Sequence, residues 1–182
     1  MKPIEDAVEV MPEATGILTY VYCENNAGLN FYILCSAKND NGKIIKGPMV
    51  DKDLSRLRFS QIEDMKYLKE EDIELDFKEL NKILAKIDIT FDKVDDRVKA
   101  LRNWTMLDGS RNIEWPDYVS VMLNKEGLMP ELVWVKCTGY EDNIIIGELS
   151  GSTRQNFGIK DGQEIKFSAY DADGDIMLIA GI

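Results

Sequence analysis

The chain has 182 residues, of which 45% are hydrophobic and 30% are charged, a composition typical of a globular protein that buries a core without disulfides or metal. The formal net charge of -11 argues against nucleic acid as a partner, because binding to phosphate depends on Lys and Arg contacts. The sequence contains no histidine, so the commonest general base and the commonest metal ligand are missing and many enzyme classes lose support.

The N-terminal segment M-K-P-I-E-D-A-V-E-V has no apolar core of signal-peptide length. No run in the sequence approaches the roughly 18 apolar residues of a membrane span, so we expect a cytoplasmic protein that contacts no membrane. Three cysteines, Cys23, Cys35 and Cys137, lie far apart in strand-like runs. This spacing indicates buried, reduced thiols rather than a disulfide framework or a zinc site, and we expect no metal and no cofactor.

Residues 15–50 predict a three-stranded antiparallel meander. The runs T-G-I-L-T-Y-V-Y-C, L-N-F-Y-I-L-C-S and K-I-I-K-G-P-M-V are rich in β-branched and aromatic residues and are separated by E-N-N-A-G and N-D-N-G. Asn41-Gly42 is a strong hairpin signal, since a type I′ turn requires positive φ at both central residues. We expect the second strand to pair with both of the others.

Ser60 marks a change in the apolar period from two to about 3.6. Glu63 follows Ser60 at the spacing of a capping box, and Ile62 and Met65 lie on neighbouring turns. A helix is therefore predicted to begin at Ser60. The acidic run from Glu70 to Asp76 is interpreted as a linker to the next helix.

Two further amphipathic helices are predicted between residues 76 and 104. The first starts at an Asp76 cap with Glu79 at the third position, and the second lies in the segment F-D-K-V-D-D-R-V-K-A-L-R-N-W. Their apolar stripes consist of Phe77, Leu80, Leu84 and Ile87 in the first helix and Val94, Val98, Leu101 and Trp104 in the second.

A second β region follows Gly109. Strands are predicted from Tyr118, then over 132–138, 143–149, 164–170 and 176–180, and residues 152–157 are expected to form a short helical turn. In the strand over 132–138, Val133, Val135 and Cys137 share one face, while Leu132, Trp134 and Lys136 share the other. We expect one face to be core and the other to be only partly covered.

Two glycine-bearing motifs resemble ligand loops but lack the required spacing. D-A-D-G-D at 171–175 has Gly174 in the fourth position, whereas an EF-hand loop needs glycine at its sixth and glutamate at its twelfth. Asp173-Gly174 is better explained as a hairpin turn. F-G-I-K-D-G at 157–162 lacks the order of a Walker phosphate loop, and its glycines are expected to permit turns.

Carboxylate pairs, which a hydrolase might use, occur at Asp95-Asp96, Glu141-Asp142 and Glu70-Glu71-Asp72. Sequence neighbours on a solvated face do not by themselves supply the converging geometry that such chemistry needs. The serines and threonines have no histidine to activate them and no G-x-S-x-G elbow. We therefore assign no catalytic residue.

The tryptophans are the strongest candidates for a binding surface, because tryptophan is enriched at interface hot spots. Trp104 and Trp115 are expected to pack in the core. Trp134 alternates with Lys136 on the less covered face of its strand, and we expect both to contact a partner. The acidic residues Glu70, Glu71, Asp72, Glu141 and Asp142 are the other candidates, as groups that attract a basic partner.

Several short pieces of the last 80 residues occur in an order shared with other proteins. They include L-R-N-W-T-M-L-D at 101–108, W-P-D-Y-V-S-V-M-L at 115–123, E-L-V-W-V-K-C at 131–137, G-E-L at 147–149 and F-G-I-K-D-G-Q-E-I-K-F at 157–167. In these pieces the chain resembles a group of bacterial uncharacterised proteins with a C-terminal β-rich domain of unknown function. That group carries the pattern W-V-x-V, G-x-L and F-G-x-x-x-G-x-x-I-x-F.

The resemblance covers about residues 101–182 and implies no catalytic residue. Relatives commonly carry L-N-E-P after the G-x-L strand, where this chain has L-S-G-S at 149–152. Related small β-rich domains occur near polymorphic toxin systems, in which acidic cytosolic proteins act as immunity factors. By analogy the resemblance implies a role in toxin neutralisation.

The sequence as a whole predicts an α+β fold with an antiparallel N-terminal meander over 1–59, a helical segment over 60–108 and a C-terminal antiparallel β domain over 109–182 that curls toward a barrel. The leading functional hypothesis is a non-enzymatic cytosolic binding protein whose partner is another, basic protein. Its most specific version is an immunity-type protein that neutralises a toxin. The alternatives are a small hydrolase-type enzyme using carboxylates and a structural homo-oligomer.

Overall fold

The two halves of the chain each build their own sheet in a computed structural model that describes residues 8–25, 27–50, 55–76, 78, 80–91 and 93–182. The chain divides into a first unit, residues 1–93, and a second unit, residues 94–182. Antiparallel sheets with a few helices make this an α+β protein that is mostly β, as predicted. The finer division into segments 1–59, 60–108 and 109–182 stays a prediction.

The sheet of the first unit is built around one long central strand. Its strands are β1 (Gly16–Glu24), β2 (Gly28–Asp40), β3 (Lys43–Met49) and β4 (Arg56–Arg58). β2 pairs antiparallel with β1 along one edge and with both β3 and β4 along the other, which confirms the meander. Asn41 and Gly42 have φ values of 53° and 94°, as the predicted type I′ turn requires.

The helix α1 (Asn81–Phe91) packs on one face of this sheet. Leu80 and Ile87 are buried there against Tyr22 and Leu34, so the predicted apolar stripe is confirmed at these positions. Asp76 accepts a hydrogen bond from the backbone N–H of Lys78 at 3.0 Å. Phe77 and Glu79, also expected in this helix, lie outside the described residues.

The prediction of a helix that begins at Ser60 is wrong. Residues Phe59–Gln61 form a single 3-10 turn, whose start is fixed by a 2.8 Å hydrogen bond from the backbone N–H of Arg58 to the Gln61 side-chain oxygen. Ile62 packs against a separate group of buried residues, Val8, Ile33 and Leu57, but Met65 stays exposed. An amphipathic period becomes a helix only when its apolar face is buried, and here that face has little to pack against.

Five strands of the second unit pair in a closed ring. They are β5 (Tyr118–Asn124), β6 (Glu131–Glu141), β7 (Ile144–Ser150), β8 (Glu164–Ala172) and β9 (Asp175–Gly181), which confirms the predicted strands. Each pairs antiparallel with the next. The ring closes through a short parallel contact of three residue pairs between β5 and β9, such as Met122 with Ile179.

Alternate residues of the ring point into one apolar core. Val133, Val135 and Cys137 of β6 are buried there, as their spacing predicts. The core also takes in Leu101, Leu107, Val119, Val121, Leu123, Ile145, Leu149, Phe157, Ile165, Phe167, Leu178 and Ala180. Trp104 packs against this core and lies 4.9 Å from Tyr140, ring centroid to ring centroid.

The short helix α2 (Asp96–Arg102) is capped by Asp95, whose carboxylate accepts the backbone N–H of Arg97 at 2.8 Å. The helix contributes Val98 and Leu101 to the buried residues, as predicted. The Arg111 side chain then fixes the following 3-10 turn, Thr105–Ser110, by donating to the carbonyl oxygen of Leu101 at 2.6 Å. Hydrogen bonds thus hold this segment at both ends, and it packs against the core of the ring through Leu101 and Leu107.

Residues 152–157 form no helical turn, which corrects the sequence expectation. The Glu131 carboxylate instead accepts the backbone N–H groups of Arg154 at 2.6 Å and Gln155 at 3.2 Å. These N–H groups are therefore satisfied by a side chain rather than by helical carbonyls. The result is an irregular but well-bonded loop.

None of the three cysteines forms a disulfide; Cys35 and Cys137 are buried and Cys23 is half-buried. Burial raises the pKa of the Cys137 thiol to about 12, which keeps it protonated at neutral pH. The expected burial is confirmed for Cys35 and Cys137, whereas Cys23 is only half-buried. No helix within the described ranges combines the length and the apolar character needed to cross a membrane.

Candidate functional site

The outer face of the ring carries an apolar surface that begins on β6. Because alternate residues of a strand face opposite sides, burial of Val133 and Val135 places Leu132 and Trp134 outside. Leu132 is 62% exposed and Trp134 is 43% exposed. Met122 of β5 is the cross-strand partner of Leu132, so the surface continues onto the neighbouring strand.

Ring closure extends this surface across two more strands. Met122 pairs with Ile179 of β9 in the parallel contact, and Met177, two residues earlier on the same face, pairs with Tyr170 of β8. Tyr170 is 55% exposed and Met177 is 40% exposed. We call the resulting set the apolar face; it consists of Met122, Leu132, Trp134, Tyr170, Met177 and Ile179.

An acidic hairpin borders the apolar face. The β8–β9 turn carries Asp171, Asp173 and Asp175, next in sequence to Tyr170 and close to Met177. Asp173 and Gly174 have φ values of 57° and 97°, and the Asp171 carboxylate accepts the Gly174 N–H at 2.7 Å. The predicted hairpin turn is confirmed, and it displays three exposed carboxylates beside exposed apolar side chains.

This cluster of aspartates is no metal centre by its geometry. Within the residues that the structure describes, no three His, Cys, Asp or Glu side chains come together in a way that would hold a metal ion. One Asp171 oxygen is already used to fix the turn. The hairpin is therefore better understood as a source of negative potential.

Trp134 and Lys136, the expected partner-binding residues of β6, lie together on the outer face. The Lys136 ammonium is 6.0 Å from the centroid of the Tyr118 ring, and Lys136 is the cross-strand partner of Glu148. Lys136 and Glu148 therefore place one positive and one negative charge beside the apolar face, on β6 and β7. Trp134 stays exposed because Ser120 and Ser150, its cross-strand partners, are too small to cover it.

Glu141 and Asp142, also expected to contact a partner, lie at the far end of β6 from Leu132. They enter the tight β6–β7 turn, where Asp142 has a φ of 47°. Glu141 lies 3.5 Å from the Lys166 ammonium in an exposed ion pair. These two carboxylates are exposed. Their turn lies at the same end of the ring as the acidic hairpin, because the antiparallel register pairs Ile145 of β7 with Phe167 of β8.

Glu70, Glu71 and Asp72 belong to the first unit. They form an exposed 3-10 turn, in which the Asp72 carboxylate accepts the Lys69 N–H at 3.3 Å. Glu71 lies 3.5 Å from the Lys69 ammonium. This acidic turn is a solvated surface segment that pairs mainly with its own neighbours.

Asp95, part of one of the carboxylate pairs, caps the N-terminus of α2. Hydrogen bonds from the Arg97 side chain and backbone lower the pKa of Asp95. A lowered pKa keeps the carboxylate ionised, which suits a helix cap and not a general acid at neutral pH.

Four residues of the apolar face, Met122, Tyr170, Met177 and Ile179, were missed by the sequence analysis. Each lies at an outward position of a correctly predicted strand, so alternation within the strand was an available signal. The strand pattern does not predict that these four side chains lie close together. Their proximity depends on the parallel β5–β9 contact, which joins residues more than 50 positions apart.

Comparison of the chain with protein-family models, with curated proteins and with solved structures gave no match in any of the three.

Proposed function

We propose that this chain is a non-enzymatic binding protein that contacts another protein through the apolar face of its second unit. The observation that carries the proposal is the continuity of six apolar side chains over four adjacent strands, β8, β9, β5 and β6. Leu132, Trp134, Tyr170 and Met177 are exposed, and Met122 and Ile179 between them are half-buried. Contiguous exposed apolar surface is costly in water and marks interaction sites. Trp134 and Tyr170 supply the large side chains that anchor such interfaces.

The charge of the surroundings supports a basic partner. The acidic hairpin with Asp171, Asp173 and Asp175 lies at one margin of the apolar face, and the whole chain carries a formal charge of -11. Negative potential beside an apolar patch accelerates encounter with a positively charged protein, and apolar burial then slows dissociation. In this proposal Trp134 and Lys136 contact the partner directly, while the exposed acids at Glu141, Asp142 and Glu70–Asp72 add to the long-range attraction.

The most specific version of the proposal is an immunity-type protein that neutralises a basic toxin in the cytoplasm. The resemblance of residues 101–182 to a bacterial group with a domain of unknown function supports it by analogy. The free thiols Cys35 and Cys137 support a reducing compartment. A carboxylate-based hydrolase and a homo-oligomer are the alternatives, and each gives a different result in the experiment below.

The proposal is tested by quantitative affinity capture from extracts of the source organism. The variant Leu132→Ser/Trp134→Ser removes the two apolar anchors of β6. The matched control Met106→Ser/Ile113→Ser removes two exposed apolar side chains of the same unit that precede β5 and are not part of the apolar face. We expect one protein to be retained by the wild type and the control and lost from the first variant.

The same samples separate the alternatives. Light scattering after size exclusion identifies a homo-oligomer, whose mass would fall only in the Leu132→Ser/Trp134→Ser variant. Retention of the captured protein by both variants alike would contradict the proposal. Turnover of a small substrate that is insensitive to both variants would favour the hydrolase.

A further inference from the structure

The loop between β7 and β8, residues 151–163, is held in place from several sides. Phe157 is fully buried in the core, and its carbonyl oxygen accepts a hydrogen bond from the Lys125 ammonium at 2.7 Å. The Gln155 side chain exchanges two hydrogen bonds with the backbone of Met129, at 2.8 Å and 3.2 Å. Together with the Glu131 contacts described above, these hydrogen bonds hold in place a segment that is neither helix nor strand.

An open surface cavity of about 430 Å³ lies on this loop. Its wall is formed by residues 152–156 and 159–161, all of them in the second unit. The volume lies within the range of small-molecule pockets, roughly 300–1,000 Å³. Because the cavity is open to solvent, it has room for a small molecule without enclosing it.

The hydrogen-bond acceptors of the wall are largely used inside the loop. One Asp161 oxygen accepts the Gly151 N–H at 2.7 Å, and the Asn156 side-chain oxygen accepts the Gly158 N–H at 3.2 Å. The Gln155 amide is occupied by Met129. The second Asp161 oxygen accepts no hydrogen bond from the residues that the structure describes.

The groups left to meet a ligand are mainly donors. The Arg154 guanidinium and the Lys160 ammonium have no ion pair among the described residues, and both side chains are exposed. The side-chain amide nitrogen of Asn156 and the hydroxyl of Ser152 are further donors in the same wall. Two cations and two neutral donors around one cavity, on a strongly acidic protein, select for an anionic ligand.

We propose that this cavity binds the phosphate group of a small phosphorylated molecule. Arg154 and Lys160 would neutralise the dianion, Asn156 and Ser152 would donate to its oxygens, and half-buried Ile159 would contact the organic part. The site is distinct from the apolar face and does not depend on the proposed protein partner.

The experiment follows the backbone amide resonances of the full-length chain during separate titrations with inorganic phosphate and adenosine 5′-monophosphate. We expect saturable shifts confined to residues 151–163 with both probes, and tighter binding of the nucleotide because it fills more of the cavity. Arg154→Gln/Lys160→Gln should weaken both by about tenfold or more. Lys99→Gln/Lys166→Gln, which removes the same charge from α2 and β8, should change them by less than about twofold.

Asp161→Asn keeps an oxygen to accept the Gly151 N–H but removes the negative charge, so it should tighten binding of both probes. Shifts that grow linearly and spread over many Lys and Arg residues would overturn the site. Equal weakening by the two double variants would also overturn it. Saturable binding of inorganic phosphate without binding of the nucleotide would show an adventitious ion only and would overturn the small-molecule ligand.

Discussion

Arg102 and Asp117 meet in a bidentate, largely buried ion pair. Arg102 Nε lies 2.8 Å from Asp117 Oδ1, and Arg102 Nη2 lies 2.7 Å from Asp117 Oδ2. The side chains are only 18% and 6% exposed. The pair links Arg102, the last residue of α2, to Asp117, which precedes β5. It therefore connects this helix to the ring.

Asp117→Asn should destabilise the second unit by about 3 kcal/mol, because it leaves the Arg102 guanidinium buried without its counter-charge. The measurement is the free energy of unfolding from chemical denaturation. Asp108→Asn is the matched control, since Asp108 pairs with Arg111 at 3.0 Å but is 60% exposed; it should cost less than about 1 kcal/mol. Equal losses of unfolding free energy in the two variants would contradict the claim that the buried Arg102–Asp117 pair matters more than the exposed Arg111–Asp108 pair.

Gly147→Ala should destabilise the ring by about 1–3 kcal/mol through overpacking. A Cβ at this inward position would lie 2.6 Å from the Lys136 carbonyl oxygen and 2.6 Å from Val135 Cγ1. Gly181→Ala is the control on β9, where a Cβ meets nothing within 4 Å. Thermal unfolding of the two variants side by side checks the prediction, and an unchanged midpoint for Gly147→Ala would refute it.

Cys137 should make the second unit less stable as the pH rises above 9. Burial raises its pKa from 9.0 to about 12, so the thiol ionises in the unfolded chain at a pH where the folded chain keeps it protonated. Proton release then favours unfolding, by about 1.4 kcal/mol between pH 8 and pH 10. Cys137→Ala should lose this part of the pH dependence, whereas Cys23→Ala should retain it.

The acidic hairpin should set the association rate with a basic partner. We expect Asp171→Asn/Asp173→Asn/Asp175→Asn to slow association several-fold at low salt, because local negative potential steers encounter. Glu70→Gln/Glu71→Gln/Asp72→Asn removes the same charge from the first unit and should slow it less. Stopped-flow kinetics at two salt concentrations distinguish them, and a larger effect of the second variant would move the steering site to the first unit.

Local signals predicted most of the secondary structure. Alternation assigned Val133, Val135 and Cys137 to the core and Trp134 to the open face, and the dipeptides Asn41-Gly42 and Asp173-Gly174 located two hairpins through their need for positive φ. These features depend on residues a few positions apart, so the sequence contains all the information they require.

Features that depend on distant residues could not be predicted in this way. The helix expected at Ser60 had the right period, but the packing that would stabilise it is absent at Met65, which stays exposed. The loop near Arg154 is shaped by Glu131, more than 20 residues earlier. The apolar face requires Met122 to meet Ile179, a parallel contact that alternation within a strand does not specify.

The central claim is that the apolar face binds a protein partner, and calorimetric titration of the captured partner into the purified chain tests it most directly. Leu132→Ser/Trp134→Ser should raise the dissociation constant by about thirtyfold or more, as expected for a hot spot of about 2 kcal/mol. Met106→Ser/Ile113→Ser should leave it within about threefold of the wild type. Equal dissociation constants for all three proteins would contradict the account.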